Sequence, residues 1–237
     1  MSHKEQKVAV VTGSSHGIGA GLTAAYRSRG WAVVGNSRSG IPSDDPGVLV
    51  VAGDISEPET AERIVAAAVE RFGRIDSLIN NAGVFVSKPF TEYTAADYAL
   101  VVGVNVTGFF LLTQRVIGQM LDRGAGHVVN ITTTLVDYAD STAPAALTAL
   151  TKGGLAAVTR SLAIEYATRG IRVNAISPGV IQSSMRDPEA YTALGALQPI
   201  GRVGQVRDIV DGVLFLESSP FITGEIIHID GGRIAGH

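Results

Sequence analysis

Two short segments carry groups suited to gripping phosphate. The first reads Thr12-Gly13-Ser14-Ser15-His16-Gly17-Ile18-Gly19 and stands between an apolar run and a helical pattern. Glycines at 13, 17 and 19 permit a tight turn and bring backbone N–H groups close to a pyrophosphate, and the N-terminus of the following helix adds the positive end of its dipole. The glycine spacing differs from the common dinucleotide fingerprint. A bare strand-to-helix turn is the plainer alternative. The second segment, Asn36-Ser37-Arg38-Ser39, ends the next apolar run. An acidic residue there would bind a ribose 2′-hydroxyl and repel a 2′-phosphate. No carboxylate is present; Arg38 is able to pair bidentately with phosphate, and Ser37 and Ser39 are able to donate to it. The segment therefore predicts NADP(H) in preference to NAD(H), the alternative being that Arg38 is a solvated surface charge.

The elements that must hold these segments follow from periodicity. Residues 7–12 (KVAVVT), 32–36, 48–52, 77–80, 126–132, 172–177 and 225–229 are short apolar runs, the mark of strands covered on both faces. Between them lie helical patterns: from the glycine loop to Gly30, then residues 58–72, 95–121, 145–168 and 206–216. Strands alternating with helices imply crossovers and a parallel sheet. The expected fold is a single-domain, Rossmann-like, doubly wound α/β layer spanning residues 1–237, with about seven strands and its ligand beyond their carboxyl ends.

Composition narrows the rest. The chain has 237 residues, no cysteine, five histidines and a formal charge of −3. A chain of this length buries roughly 70–75% of its unfolded surface without covalent staples. Disulfides, thiolate zinc sites and cysteine nucleophiles are excluded. Scattered histidines give no metal cluster, and the charge gives no nucleic-acid footprint. The polar start MSHKEQ reads as no signal peptide. No uninterrupted apolar run approaches the ~20 residues of a membrane span. A cytoplasmic protein with a small-molecule substrate is expected.

Further segments recur in the same order along the chain: Gly53-Asp54-Ile55, Asn80-Asn81-Ala82-Gly83, Val104-Asn105-Val106, Val129-Asn130-Ile131, Thr151-Lys152, Arg172-Val173-Asn174-Ala175, Ser177-Pro178-Gly179, and Ile222-Thr223-Gly224-Glu225 through Asp230-Gly231-Gly232. With the glycine loop they resemble the short-chain dehydrogenase/reductase family over nearly the whole chain. The resemblance implies that Ser15, Gly17 and Ile18 border the pyrophosphate and that His16 adds the basic group common in NADP-preferring members. It implies that Asp54 binds the adenine amino group and Ile55 packs on the ring. Asn81, Ala82 and Gly83 would steady the sheet and meet the adenine ribose, and Pro178, Gly179 and Val180 would wrap the nicotinamide. Two plainer roles stay open: Asp54 as a cap for the helix at 58, and Asn81 as a bridge between strands.

In that family a tyrosine and a lysine four apart share one helix face. The lysine binds the nicotinamide ribose and lowers the phenol pKa, a serine on the preceding strand end holds the substrate oxygen, and an asparagine completes a proton relay. By resemblance Lys152 is the lysine, Asn105 the asparagine, and Thr133 the serine, with Thr134 one register away. The tyrosine position holds Thr148. A phenol ionises near pKa ~10, whereas an aliphatic hydroxyl stays close to water at ~15.7. Threonine is also shorter by a ring. Loss of a positioned general acid costs ~10²–10⁴-fold. Tyr138 or a relayed water is left to supply the proton, or the substrate is an activated alkene or iminium that needs no strong acid, or hydride transfer is lost. Residues 181–200, with Met185, Tyr191, Leu194, Leu197 and Pro199, would form a short substrate lid or a plain surface helix. Phe85 and Phe90 would line the opposite wall. A small or medium apolar substrate is expected, in a homotetramer or at least a dimer.

Overall fold

The computed structural model describes residues 6–182, 188–196 and 198–236. Seven parallel strands form one sheet: β1 (Val8–Thr12), β2 (Ala32–Ser37), β3 (Val48–Ala52), β4 (Ser77–Asn80), β5 (Gly126–Ile131), β6 (Ile171–Pro178) and β7 (Ile226–Ile229). Their order is β3-β2-β1-β4-β5-β6-β7. The chain winds outward from β1 to β3, then returns to pair β4 with the other side of β1. That reversal opens a crevice beyond Thr12, where ligands bind in open α/β sheets.

Alternation along β1 distributes its side chains to two cores. Val8 and Val10 join Ile64, Leu112, Met120 and Val128 on one face, and Ala9 and Val11 join Leu22, Tyr26, Ile209 and Val213 on the other. The first face is covered by α2 (Pro58–Phe72) and α4 (Gly108–Arg123), the second by α1 (Gly17–Ser28) and α7 (Val206–Ser218). Pro at the first turn starts α2, and Gly73 at φ 76° ends it. A Cβ on Gly21 would stand 2.5 Å from Val206 Cγ1, so α1 and α7 touch through a glycine.

The expected single helix at 95–121 is built differently. It begins as α3 (Ala95–Val102), which carries a Thr94–Asp97 capping box, widens to a π-turn over Gly103–Thr107, and continues as α4. The extra residue per turn swings Asn105 into the fold, where it is 1% exposed. Periodicity alone does not reveal such a bulge. By length and composition the whole stretch Ala95–Arg123 also matches a membrane span, with mean hydropathy 1.6 and 28% of that window buried. The count of uninterrupted apolar residues misses this because Asn105, Thr107 and Thr113 break the run while the average stays high. Leu112, Val116, Ile117 and Met120 of this stretch are buried against the sheet, while Tyr98, Leu100, Val106 and Phe110 are exposed.

Two more helices complete the fold: α5 (Ala146–Tyr166), and α6 (Pro188–Ala196) within the expected lid. Of the lid residues, Tyr191 is buried, while Met185 and Leu197 lie outside the described residues.

Candidate active site

The glycine loop turns at the end of β1, where Gly13 has φ 65° and Gly17 φ 54°. A Cβ on Gly19 would lie 2.1 Å from the Gly13 carbonyl oxygen, so no other residue fits. His16 is the N-cap of α1 but gives no side-chain cap; its Nδ1 lies 2.9 Å from Ser15 Oγ instead. The first-turn N–H groups of α1 are thus left for another acceptor. Gly13, Ser15, His16, Gly17 and Ile18 line a cleft of about 890 Å³ at the switch point. That volume lies within the range of small-molecule sites.

Across the cleft β4 is stitched to the same loop. Asn81 Nδ2 donates to the Thr12 carbonyl at 2.9 Å, and the Asn81 and Ala82 N–H groups donate to Thr12 Oγ1 at 3.0 and 2.9 Å. Asn81 therefore does bridge strands, while Ala82 and Gly83 line the cleft. At the end of β2, Ser37 Oγ accepts from the Gly40 N–H at 3.2 Å and lies 3.4 Å from Ser39 Oγ. Arg38 is exposed at the cleft edge and forms no hydrogen bond or ion pair among the described residues. Asp54 accepts Ser56 N–H and Oγ–H on Oδ1, at 2.9 and 2.7 Å, and these bonds lower its pKa. It closes the turn ahead of α2, whose N-cap is Glu57, so the cap expected of Asp54 falls three residues later. Ile55 is 6% exposed and is met by α4 so closely that a Cβ on Gly108 would stand 2.8 Å from its Cγ2.

Asn105, Thr133, Thr148 and Lys152 do not line the cleft themselves; Lys152 and Asn105 stand behind Gly83, which does. Lys152 on α5 is buried, and its Nζ donates to the Ile131 carbonyl at 2.7 Å. Burial pushes its pKa down to about 8. A Cβ on Gly83 would stand 3.1 Å from Lys152 Nζ and 3.4 Å from Asn105 Oδ1, so the two side chains flank that glycine. Asn105 Oδ1 accepts the Val84 N–H, and its Nδ2 donates to the Val84 carbonyl and to Thr151 Oγ1. Thr148 lies one turn before Lys152, 4% exposed, with Oγ1 buried and no hydrogen-bond partner. An orphaned buried hydroxyl is uncommon, and this one has no partner among the described residues. Thr133 is half-buried in the β5–α5 loop and its Oγ1 accepts weakly from Leu135 N–H at 3.4 Å; Thr134, one residue on, is buried. The Tyr138 ring stands beneath the Arg233 guanidinium, 5.2 Å from ring centroid to Cζ.

Some expected residues stand apart. Pro178 ends β6, paired with Ile229, and Gly179 packs on Asp230. Val180 lines a smaller cavity of about 370 Å³ beside Asp208, His228 and Gly232 instead of the main cleft. Several further residues line the cleft: Asn36 from the segment at the end of β2, Val104 from a matched segment, Val84 from the start of the expected opposite wall, Gln182 from the expected lid, and Val206, which carried no signal in the sequence. Among the described residues no group of three or more His, Cys, Asp or Glu side chains gathers at a point.

A parallel sheet of this order, with a glycine turn and a helix N-terminus at its switch point, defines a doubly wound protein whose ligand cleft lies between β1, β2 and β4. The chain belongs to the short-chain dehydrogenase/reductase family, and the family described as enoyl-(acyl carrier protein) reductase matches residues 13–233. It is 38% identical over 250 residues to an uncharacterized oxidoreductase of Methylorubrum extorquens, covering 98% of this chain and 99% of that one. ElxO with NADP bound superposes with a TM-score of 0.91 at 26% identity, covering 98% of this chain and 100% of that one. A 3-ketoacyl-(acyl-carrier-protein) reductase from Brucella melitensis complexed with NADH gives 0.88 at 30% identity, covering 97% and 99%.

Proposed function

We propose that this protein is an NADP(H)-dependent oxidoreductase acting on a small or medium apolar carbonyl, activated alkene or iminium, with Thr148 standing where its family places a phenol. Family membership and the NADP-bound likeness of ElxO support the cofactor class. The NADH-bound likeness leaves the choice of dinucleotide to local chemistry. Arg38, which has no hydrogen bond or ion pair among the described residues, favours the 2′-phosphate, as does the lack of a carboxylate at the end of β2.

The residues present fit such a group. Gly13, Gly17, Gly19 and the first turn of α1 would hold the pyrophosphate; Ser37, Arg38, Ser39 and His16 the 2′-phosphate; and Asp54 and Ile55 the adenine. Asn81, Ala82 and Gly83 would meet its ribose, and Pro178, Gly179 and Val180 the carboxamide. Bound there, the dinucleotide supplies or accepts a hydride. Lys152 would bind the second ribose, Thr133 would hold the substrate oxygen, and Asn105 would steady the wall between them. The observation that carries the reading is Lys152. It is a buried ammonium with three donors, of which one has an acceptor among the described residues, set against Gly83 in the cleft wall.

Thr148 cannot match a phenol as an acid at neutral pH. Carbonyl reduction then needs Lys152, a relayed water or Tyr138 to furnish the proton, whereas an activated alkene or an iminium needs less. The absence of a phenol at position 148 favours a second reading, a cofactor-binding protein without hydride transfer. Titration with NADPH and NADH, followed by absorbance assays on ketones, activated alkenes and iminium compounds, separates the two. Tight binding with no turnover of any class would favour the second.

The exposed apolar side chains Tyr98 and Phe110 on α3–α4, and Leu150 and Ile164 on α5, support a homodimer or homotetramer. Light scattering at micromolar concentration tests this.

A further inference from the structure

The loop between β5 and α5 carries Thr133 and Tyr138 and folds into two short turns. In the first, the N–H groups of Asp137 and Tyr138 donate to the Thr134 carbonyl at 3.0 and 2.8 Å. In the second, Asp140 Oδ1 accepts the Thr142 N–H and Oγ–H at 2.9 and 2.6 Å, and the Ala143 N–H donates to the Asp140 carbonyl at 3.1 Å. Its far end enters α5 through Ala145, which gives no side-chain cap. These turns shape the loop locally; its place on the fold is set by contacts from two sides. On one side Ser87 Oγ and the Lys88 N–H both donate to the Pro144 carbonyl, at 2.9 and 3.1 Å. On the other side the end of the chain reaches back. Arg233 donates to Asp140 in an ion pair whose side chains are only 10% and 15% exposed, and its guanidinium covers the Tyr138 ring at 5.2 Å. His228 Nε2 stands 3.0 Å from Asp137 Oδ2.

The turn bearing Arg233 is itself rigidly mounted. Asp230 accepts the Gly232 N–H on Oδ1 and the Ile234 N–H on Oδ2, both at 2.9 Å. Gly232 has φ 90°, a conformation glycine adopts readily. A fork-shaped cation able to pair with a carboxylate and lie over a ring at once is a property of arginine that lysine lacks. Largely shielded from water, such a pair gives little net stability, but separating its members leaves a charge poorly solvated. It therefore specifies position.

We propose that Arg233 is a positioning residue: through Asp140 and Tyr138 it sets where the β5–α5 loop, and with it Thr133, stands on the fold. The catalytic consequence rests on the function proposed above; the mechanical one does not.

Hydrogen exchange, NADPH titration and steady-state kinetics on Arg233→Met, Arg233→Lys, Asp140→Asn and the swap Arg233→Asp/Asp140→Arg test it. In Arg233→Met the amides of residues 135–143 should exchange about tenfold faster or more, while those of the glycine loop do not change. NADPH affinity should stay within about twofold, while substrate KM rises or kcat falls about tenfold. Arg233→Lys should recover part of the loss, and the swap should restore protection of the loop. If Arg233→Met does not fold, Asp140→Asn is read in the same way. Unchanged exchange in the loop, uniform loosening of the whole protein, or NADPH binding lost in parallel with turnover would each overturn the proposal. If the wild-type protein turns over no substrate, the functional reading fails, and exchange in the loop still decides the mechanical claim.

Discussion

Asn105 and Val84 are joined twice: Asn105 Oδ1 accepts the Val84 N–H at 2.9 Å, and Asn105 Nδ2 donates to the Val84 carbonyl at 3.1 Å. One side chain thus satisfies both backbone groups of a residue 21 positions away and locks the segment after β4 that carries Gly83. The π-turn exists at the right place to deliver it. Asn105→Ala should cost about 1–3 kcal/mol, the usual cost of leaving such groups unpaired, and should weaken NADPH binding through the loosened Gly83 segment. A denaturant midpoint and a cofactor titration equal to those of the wild type would show that the bridge is ornamental.

Arg38 tests the cofactor assignment. Arg38→Asp replaces a free cation at the cleft edge with the carboxylate expected of an NAD-preferring site. NADPH affinity should fall about tenfold to a hundredfold, the worth of a charge-assisted pair, while NADH affinity holds or improves. Equal losses for both dinucleotides would mean that Arg38 is an ordinary surface charge.

Much of this arrangement was legible in the sequence. The bounds of α2, β3 and β4 match the expected ones, because Pro58, Gly73 and flanking turns punctuate clear apolar patterns. The glycine loop and the strand ends gave most of the cleft. What could not be read were pairings between polar residues distant in sequence. Arg233 with Asp140 spans 93 positions, and His127 with Glu217 spans 90. Periodicity tells which side chains face inward; it does not tell which inward polar groups meet. The π-turn escaped for a related reason, since one added residue leaves the apolar stripe nearly intact. Val180 was carried over by resemblance; its carbonyl accepts the Gly204 N–H at 2.9 Å, a pairing between loops that no local pattern announces.

Lys152 gives a pH signature. Burial brings its pKa to about 8, so below that value the group is an ammonium able to furnish a proton, and above it a neutral amine. Ketone reduction should therefore fall as pH rises through about 8, while reduction of an iminium, which needs no acid, should not fall there. The two profiles of kcat/KM report the free enzyme. Superimposable profiles would remove Lys152 from the proton path.

Acid stability depends on a buried cluster at the opposite end of the sheet. Glu217 Oε2 accepts from Tyr26 Oη at 2.8 Å, Ser77 Oγ at 2.8 Å and His127 Nδ1 at 3.1 Å. Asn174 uses its Oδ1 for the Glu225 N–H, so its amide donates to His127 Nε2 and keeps that nitrogen unprotonated. Burial lowers the His127 pKa below its ordinary 6.5. The folded protein keeps the ring neutral where the unfolded chain takes up a proton. Its contribution to stability is therefore full above pH 6.5 and is lost as pH falls through the depressed folded value. Thermal melts from pH 8 to pH 5 should show this decline, and His127→Asn should flatten it. An unchanged slope in the variant would exclude His127 as its source.

The central claim is that a working nicotinamide site surrounds Thr148 and lacks only its acid. Loss of the reduced-nicotinamide absorbance, followed with a ketone for the wild-type protein and for Thr148→Tyr, tests this most directly. The account predicts that the wild type reduces the ketone slowly or not at all and that Thr148→Tyr gains roughly 10²–10⁴-fold, the usual worth of a positioned general acid. A wild-type protein that reduces ketones as fast as Thr148→Tyr would contradict it.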